Sequence, residues 1–402
     1  MNKIARSIRT NADLYKTAFV IGLTGYGGLA SLGQIKKEYV HKHHIVSEHT
    51  FLNAVSLSQI LPGSSIINLI ALFSYLRAGL IGAIIGTAVY ILPTFIITTF
   101  FSALYFADTS LPQLSTVVRG LNLLLLPLLM TTFIQIGFPL LVRGTSIRFR
   151  NLFISGLCFF LYLTAGVNAI HLILLSGILG VILYSFGGML EESQEELEVV
   201  SGTLFQRKKA WILLLLGIVL LSVLIYDLSV PLWMLFSSFF KIGLVSFGGG
   251  IAAIPLMEGA FVRTLHWVTP SQFWDGIAIS QITPGPIFIA SAFFGYRIGG
   301  IWGALLATTG MLIPSMLLII IAEKIHARIK QFIVVRMLTR GFLVGFVGIL
   351  AALIIGQGVR IGIGMFEGIL VMVCLYLMKK NRFGFFASLV LCIAYSFVFR
   401  PH

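Results

Sequence analysis

Two pairs of short stretches, far apart along the chain, decide its fold. The first pair reads Gly22-Leu23-Thr24-Gly25-Tyr26-Gly27-Gly28 and Gly243-Leu244-Val245-Ser246-Phe247-Gly248-Gly249. The second pair reads Ser58-Gln59-Ile60-Leu61-Pro62-Gly63 and Ser280-Gln281-Ile282-Thr283-Pro284-Gly285. Glycine lowers the cost of leaving helical geometry, and proline removes a backbone hydrogen bond. Each stretch therefore predicts a break in a helix.

The spacing of these stretches predicts two homologous halves. The members of each pair lie 221 or 222 residues apart. Two further landmarks share an offset of 221 residues, Pro93 with Pro314 and Arg119-Gly120 with Arg340-Gly341. Self-similarity at one fixed spacing is the signature of an internal repeat.

The composition indicates that the solvent of this chain is mostly lipid. Hydrophobic residues make up 58% of the 402 residues and charged residues 10%, and the mean hydropathy is +0.99. A soluble domain carries about 25% charged residues. The net charge of +14 is spread in small groups between apolar stretches, which is typical of membrane-protein loops rather than of a nucleic-acid interface. We therefore expect the lipid bilayer as a partner and no nucleic acid.

The apolar runs predict an all-α polytopic integral membrane protein with about 13 transmembrane helices, some of them broken or re-entrant. Residues 1–190 form the first repeat with six spans, 191–210 form a cytoplasmic linker, and 211–402 form the second repeat with seven spans, one of them an extra leading helix. The predicted spans are 14–34, 51–75, 79–106, 112–140, 151–166, 168–187, 211–226, 231–257, 272–296, 299–322, 332–357, 362–378 and 383–399.

The lysines and arginines predict the orientation. With the amino terminus in the cytoplasm, 19 of them fall on the cytoplasmic side and 6 on the other side. The group between Lys36 and Lys42 is the exception to this bias. We expect a multi-pass protein of the bacterial inner membrane, with a retained first span, a cytoplasmic amino terminus and an outside carboxyl terminus. The extra span 211–226 would turn the second half over, which gives the inverted-repeat plan of many secondary transporters.

The four breaks are the candidate substrate site. A helix that restarts at membrane depth exposes unpaired N–H groups and the positive end of its dipole, where an anion can bind. Close packing of small residues or a simple kink is the competing interpretation. The candidate substrate-binding residues are Tyr26, Gly27, Gly28, Gln59, Pro62, Gly63, Arg119, Phe247, Gly248, Gly249, Gln281, Pro284, Gly285 and Arg340.

Charged residues within the spans have two interpretations each. Arg119 and Arg340 occupy matched positions, and their guanidinium groups suit oxyanions, but both lie near span starts and could snorkel to the interface. Glu38 and Glu258 each follow a glycine stretch by about one helix length. They are candidates for coupling to protons or for salt bridges with nearby bases, with ordinary interfacial solvation as the alternative.

The paired motifs resemble the chromate ion transporter family in its long two-domain form. The family has a Phe-Gly-Gly motif in the first span of each half and a Leu-Pro-Gly-Pro motif in the next. They correspond here to Tyr26-Gly27-Gly28 with Leu61-Pro62-Gly63-Ser64, and to Phe247-Gly248-Gly249 with Thr283-Pro284-Gly285-Pro286. The chain lacks a proline that the family often has at three positions, Leu29, Ser64 and Gly250. The resemblance implies two inverted homologous halves and movement of chromate out of the cytoplasm.

The expected function is that of a secondary transporter. Chromate or a related tetrahedral oxyanion would cross the inner membrane by alternating access, in the direction of efflux. An anion channel, or a transporter of another anion such as sulfate, is the alternative. The sequence has no P-loop motif, and we expect no enzyme activity, cofactor or bound metal. A homo-oligomer is compatible with the sequence.

Overall fold

The part of the chain that the structure describes is almost entirely helical. The computed structural model describes residues 2–25, 28–43, 45–107, 112–143, 146–185, 230–247, 249–329, 333–380 and 384–399. The helices of the first half are α1 (Asn2–Thr24), α2 (Gly28–Ile35), α3 (Glu48–Ile60), α4 (Ser65–Phe106), α5 (Pro112–Thr132), α6 (Phe138–Leu141), α7 (Phe149–Thr164) and α8 (Ala169–Ser185). Those of the second half are α9 (Val230–Val245), α10 (Ala253–Glu258), α11 (Pro270–Ile282), α12 (Ala290–Ile329), α13 (Ile333–Ile361), α14 (Met365–Lys380) and α15 (Gly384–Val398).

Several short elements interrupt the α-helices. Three are π-helical turns, Lys36–Lys42, Phe133–Gly137 and Gly259–Thr264, and two are 3₁₀ turns, Gly250–Ala252 and Ile287–Ile289. Two-residue strands, β1 (Val142–Arg143) and β2 (Ser146–Ile147), pair in antiparallel register. The expectation of an all-α membrane-type fold is confirmed.

Among the described residues, four helical stretches are long and apolar enough to cross a membrane, judged by length and composition. They are Ser65–Phe106, Thr116–Leu141, Ile287–Glu323 and Arg336–Ile361. Shorter apolar helices accompany them, including Phe149–Thr164 and Ala169–Ser185. The predicted span 211–226 and the predicted linker 191–210 lie outside the described residues.

The predicted span 14–34 is not one straight helix. It divides into α1 and α2, and the side-chain Nε2 of Gln34 donates to Oγ1 of Thr24 at 2.6 Å. Residues ten apart in a straight helix are separated by about 15 Å along its axis. The chain therefore folds back between α1 and α2, and the π-helical turn that continues α2 contacts α1.

The predicted span 51–75 is also divided. Its second part is the beginning of α4, which folds back on the part of α4 that follows a kink. The break is at 61–64, between α3 and α4. Within α4, Ala78 and Gly79 have non-helical dihedrals, with φ of −131° and +68°. This kink places Ser74 against Gly82 and Gly86. A Cβ on either glycine would clash with Ser74. In the second half, Gly299 and Gly300 make the matching kink in α12, and Gly295 there meets Gly303.

α2, the π-helical turn Lys36–Lys42 and α3 are called the first-half hairpin here. Aromatic side chains hold this hairpin against α4. The ring of Phe73 lies 5.6 Å from that of Tyr39 and 6.1 Å from that of Phe51, measured between centroids. Tyr39 belongs to the π-helical turn and Phe51 to α3, so both arms of the hairpin pack on the part of α4 that precedes the kink. All three side chains are buried.

The chain divides into two compact units, and each draws on both halves of the sequence. The first unit comprises Met1–Ala103, Glu191–Gly250 and Thr283–Val335, and the second comprises Leu104–Leu190, Ile251–Ile282 and Arg336–His402. The repeats predicted at 1–190 and 211–402 are therefore divisions of the sequence that the compact units cut across.

Small residues allow close helix contacts inside each unit. In the first unit α9 packs along α12, where Gly243 faces the carbonyl of Met311 and the ring of Pro314. In the second unit α5, α14 and α15 pack together, and Gly341 of α13 approaches Gly180 of α8. Such contacts are typical of helix association in membranes, where shape fit replaces hydrophobic burial.

Candidate functional site

Each Pro-Gly break is hydrogen-bonded to the glycine break of the other half. The N–H of Gly63 donates to the carbonyl of Ser246 at 2.8 Å, and the N–H of Gly285 donates to the carbonyl of Gly25 at 2.7 Å. Gly63 matches Gly285, and Gly25 matches Ser246, at the offset found in the sequence. The two bonds are therefore the same contact made in both directions. We call the region of the first unit around these four residues, Gly25, Gly63, Ser246 and Gly285, the crossing.

Buried hydroxyl groups surround the crossing. Oγ1 of Thr94 donates to the carbonyl of Pro284 at 2.6 Å, and Oγ1 of Thr98 lies 3.3 Å from Oγ1 of Thr283. Ser315, at the position that matches Thr94, places its hydroxyl beside Gly63. All four side chains are buried, so the crossing is polar but carries no charge on these groups.

The two Pro-Gly breaks need glycine for both conformation and space. Gly63 has φ of +106° and Gly285 has φ of +113°, a region that other residues rarely adopt. A Cβ on Gly63 would collide with the hydroxyl of Ser315, and one on Gly285 would lie 2.7 Å from Oγ1 of Thr94. In both turns, the glycine has no side chain, so a helix hydroxyl can lie directly against its backbone.

Several buried polar atoms on α4 and α12 of the first unit have no hydrogen-bond partner among the described residues. They are Oδ1 of Asn68 and the hydroxyls of Ser74, Thr87 and Ser315, on side chains that are at most 4% exposed. Nδ2 of Asn68 donates weakly to the carbonyl of Pro62, at 3.4 Å. Unpaired buried polar groups are rare in proteins and call for an explanation such as water or a ligand. Polar backbone at membrane depth has the same requirement.

The crossing uses the N–H groups of Gly63 and Gly285 in its own structure. Donors for an anion would therefore come from the helix starts that follow, because the first N–H groups of a helix have no partner within it. At α4 the Asn68 N–H already donates to the Ser64 carbonyl, and the preceding N–H groups belong to the first turn. In the second half, the 3₁₀ turn Ile287–Ile289 occupies the matching position before α12.

The remaining predicted residues of the glycine breaks are only partly described. Tyr26, Gly27 and Gly248 lie outside the described residues, and Gly28 is the first residue of α2. Phe247 is half-buried, and its N–H donates to the carbonyl of Val245. Gly249 has φ of +87°. Gln59 is exposed on α3, whereas Gln281 on α11 is half-buried.

Arg119 and Arg340 belong to the second unit, where each has its own partner. Nη1 of Arg119, on α5, donates to the carbonyl of Phe399 at 3.2 Å. The guanidinium of Arg340, on α13, lies 5.5 Å from the ring centroid of Tyr184. Both side chains are half-buried.

Glu38 lies in the first-half hairpin, among bases. Its carboxylate pairs with Lys42 at 3.0 Å, and Nε2 of His43 lies 3.5 Å away. Lys36 pairs with Glu48 at 2.5 Å, and this hydrogen bond and charge hold the pKa of Glu48 below its ordinary value. Two of the lysines that break the charge bias are therefore ion-paired.

Glu258 sits in a more buried cluster of the second unit. Arg263 donates to it at 2.9 Å, and the hydroxyl of Tyr162 donates to the same oxygen. The guanidinium of Arg263 also lies 4.2 Å from the centre of the Tyr162 ring. A salt bridge with nearby bases was among the predictions for Glu258, whereas the Tyr162 hydroxyl was not predicted. The spacing of five residues between Glu258 and Arg263 faces the two side chains together because Gly259–Thr264 is π-helical.

The described part of the chain has an all-α fold of membrane type, with four helical stretches long and apolar enough to cross a bilayer. The family described as chromate transporter matches residues 12–181 and 233–398, and the chain belongs to this family. The resemblance predicted from the paired motifs is confirmed, and one family description matches both halves.

Proteins that are similar to most of this chain are also named as transporters or as chromate transport proteins. An uncharacterized transporter of Methanocaldococcus jannaschii is 26% identical over 85% of this chain and 83% of its own length. A probable chromate transport protein of Synechococcus elongatus is 26% identical over 75% of this chain and 72% of its own length. A chromate transport protein of Cupriavidus metallidurans is 22% identical over 74% of this chain and 70% of its own length. No solved structure matches the chain.

Proposed function

We propose that this protein transports chromate, or a related tetrahedral oxyanion, across the bacterial inner membrane and that the anion binds at the crossing. The observation that carries the proposal is the pair of reciprocal hydrogen bonds, Gly63 to Ser246 and Gly285 to Gly25. They bring the breaks of both halves into one buried, polar region of the first unit. Secondary transporters bind their substrates where broken helices of two repeats meet.

The chemistry of the crossing suits an oxyanion. Chromate presents four oxygens that accept hydrogen bonds. The unpartnered hydroxyl of Ser315 is a donor, and so are the N–H groups of helix starts, which also carry a partial positive charge. Neutral donors that are already in place bind an anion without first giving up a carboxylate partner.

Inverted repeats would account for the matched elements of the two halves. The kinks at Gly79 and Gly300, the π-helical turns Lys36–Lys42 and Gly259–Thr264, and the reciprocal bonds all recur at the repeat offset. We take residues 1–190 and 211–402 as the two repeats, with an amino terminus in the cytoplasm and a carboxyl terminus outside. The fold-back between α1 and α2 favours re-entrant hairpins among the 13 predicted spans.

Alternating access is the mode of transport that this plan supports. A rocking motion of the repeats would expose the crossing to each side in turn. Arg119 and Arg340 are the basic candidates for neutralising the substrate on its path. Glu38 and Glu258 are the coupling candidates, and of the two Glu258 has the more buried surroundings, at 13% side-chain exposure against 17%.

Chromate uptake into everted membrane vesicles tests the proposal. Everted vesicles present the cytoplasmic face, so efflux from the cell is measured as uptake. We expect saturable uptake of radiolabelled chromate that sulfate inhibits. Thr98→Val should raise the KM, because it removes a hydroxyl from the crossing. The control is Thr309→Val, since the bonds of the Thr309 hydroxyl to described residues are to carbonyls of its own helix.

Either of two results would overturn the proposal. Uptake equal to that of vesicles without the protein would remove chromate as the substrate. A KM that is the same in both threonine variants would remove the crossing as the binding site. Arg119→Ala and Arg340→Ala, measured in the same vesicles, test the arginines: a raised KM supports a role in binding, and an unchanged KM with less protein in the membrane supports a structural role.

A further inference from the structure

A second group of polar side chains, in the second unit, has no role in the crossing. Asp275 of α11 accepts hydrogen bonds from the Tyr105 hydroxyl at 2.6 Å and from Nδ2 of Asn122 at 2.5 Å. The other end of the same amide, Oδ1 of Asn122, accepts from Nη2 of Arg360 at 2.9 Å. The amide of Asn122 therefore stands between a carboxylate and a guanidinium.

The direct contacts of Arg360 among the described residues are with neutral groups. Its Nε donates to Oε1 of Gln357 at 3.0 Å, and its guanidinium lies 5.9 Å from the ring centroid of Trp274. Among the described residues, no carboxylate lies within ion-pair distance of it. A guanidinium has five N–H donors, so its bonds to Gln357 and Asn122 do not use all of them, and its contact with an aromatic face uses none. Arg360 is also exposed at the end of α13, so an anion could reach it.

Gln357 supplies an independent sign of a missing ligand. The side chain is fully buried, and its Nε2 has no hydrogen-bond partner in the part of the chain that the structure describes. Its Oε1 is already taken by Arg360, so the amide presents an unused donor next to a cation. A buried unpaired donor costs free energy unless something accepts from it. The group that both donors fit is an anion with several oxygens.

We propose that Arg360, Gln357 and Trp274 form an anion site separate from the crossing, and that Asp275 sets its affinity. The ligand is a tetrahedral oxyanion, an inference that rests on the proposed function only for the identity of that anion. Asp275 is the internal counter-charge, held one amide away from Arg360 by Asn122. The matched position in the first half is Asn53, so the carboxylate belongs to the second half alone.

The proposal predicts opposite effects for the two charges. Loss of Arg360 removes charged donors, and loss of the Asp275 charge removes a repulsion while Asn keeps the size of the side chain. Damage to a purely structural network would weaken the site in both cases. The sign of the change therefore separates an anion site from a structural tether.

The experiment is a sulfate titration of the purified full-length protein in nanodiscs, followed by tryptophan fluorescence. Sulfate absorbs no light in this range, and the signal of this site is the part that disappears in Trp274→Phe. We expect Arg360→Gln to raise the Kd by about tenfold or more, since charged hydrogen bonds are lost. Asp275→Asn should lower the Kd by about three- to tenfold. Arg336→Gln, an exposed arginine at the other end of α13, should leave the Kd unchanged.

Three results would overturn the inference: no signal that depends on Trp274, an unchanged Kd in Arg360→Gln, or a weaker Kd in Asp275→Asn. Thermal unfolding of each variant identifies those that are misfolded, and Arg360→Lys, which keeps the charge, then replaces Arg360→Gln. Chromate uptake of the same variants in everted membrane vesicles separates this inference from the proposed function. Uptake without the sulfate signal would contradict only the second anion site. The sulfate signal without uptake would contradict only the transport of chromate.

Discussion

Gly63 and Gly285 are the residues on which the crossing depends most directly. The Pro-Gly pairs predicted breaks at these positions because no other residue tolerates a positive φ as well. What each N–H would bond to could not be predicted, since the partners, Ser246 and Gly25, lie in the other half of the sequence. The hydroxyls that face these glycines, Thr94 and Ser315, gave no signal either, because threonine and serine are common in membrane helices.

Alanine at either Pro-Gly break should destabilise the protein and abolish transport. Backbone strain costs about 1–3 kcal/mol, and the collision with Ser315 or Thr94 adds about 1–3 kcal/mol of overpacking. Gly166→Ala is the control, because Gly166 has φ of +59° but nothing within 4 Å of a Cβ. Thermal unfolding and chromate uptake of Gly63→Ala and Gly285→Ala would contradict the account if they matched those of Gly166→Ala.

The hydroxyls of Thr94 and Ser315 should separate structure from binding. Thr94→Val leaves the Pro284 carbonyl without its donor, so the free energy of unfolding should fall by about 1–3 kcal/mol. Ser315→Ala removes a hydroxyl without a partner, so stability should hold while the KM for chromate rises severalfold. Equal losses of stability in the two variants would show that the Ser315 hydroxyl has a structural partner instead.

The first-half hairpin is the element that sequence reasoning described least well. The glycine stretch predicted a break near 25–28, but hydropathy alone gave one span over 14–34. A break does not state the direction in which the chain continues. That direction depends on packing: Tyr39 and Phe51 reach Phe73 only if α2 turns back along α1. The kinks at Gly79 and Gly300 lie where the predicted spans 51–75 and 272–296 end and the predicted spans 79–106 and 299–322 begin, so interruptions at these places were expected from the sequence.

Cross-linking of paired cysteines tests the fold-back. In a background without native cysteines, Thr24→Cys with Gln34→Cys should react with a short bifunctional thiol reagent, since the two native side chains touch. The control pair is Ile85→Cys with Phe95→Cys, which is also ten residues apart but lies in an uninterrupted stretch of α4. Those sites are about 15 Å apart along the axis. Equal cross-linking of the two pairs, or no cross-linking of the first pair, would indicate that the first span is a straight helix.

At the scale of the whole molecule, the internal repeat was the most informative feature of the sequence. It predicted the family and the matched breaks, because both depend on residues at a fixed spacing. It did not predict the two compact units, each of which takes segments from both halves. Such units arise from contacts between residues far apart in sequence, for which a single chain gives no pattern.

Neither half should therefore work alone. Residues 1–200 and 201–402, produced as two chains in the same cell, should reassemble through the bonds of the crossing and take up chromate. Each chain by itself should accumulate poorly in the membrane and show no uptake, because its Pro-Gly break lacks the carbonyl that it bonds to. Quantified membrane levels and vesicle uptake check this expectation, and transport by one half alone would contradict it.

The measurement that tests the central claim most directly is chromate counterflow in proteoliposomes made from the purified protein. Liposomes loaded with unlabelled chromate are diluted into a trace of radiolabelled chromate. A carrier with a single site that faces each side in turn predicts a transient accumulation of label above the outside concentration, which external sulfate and Ser315→Ala both reduce. Label that only equilibrates with the outside would indicate a channel, and label that stays at the level of protein-free liposomes would contradict chromate transport altogether.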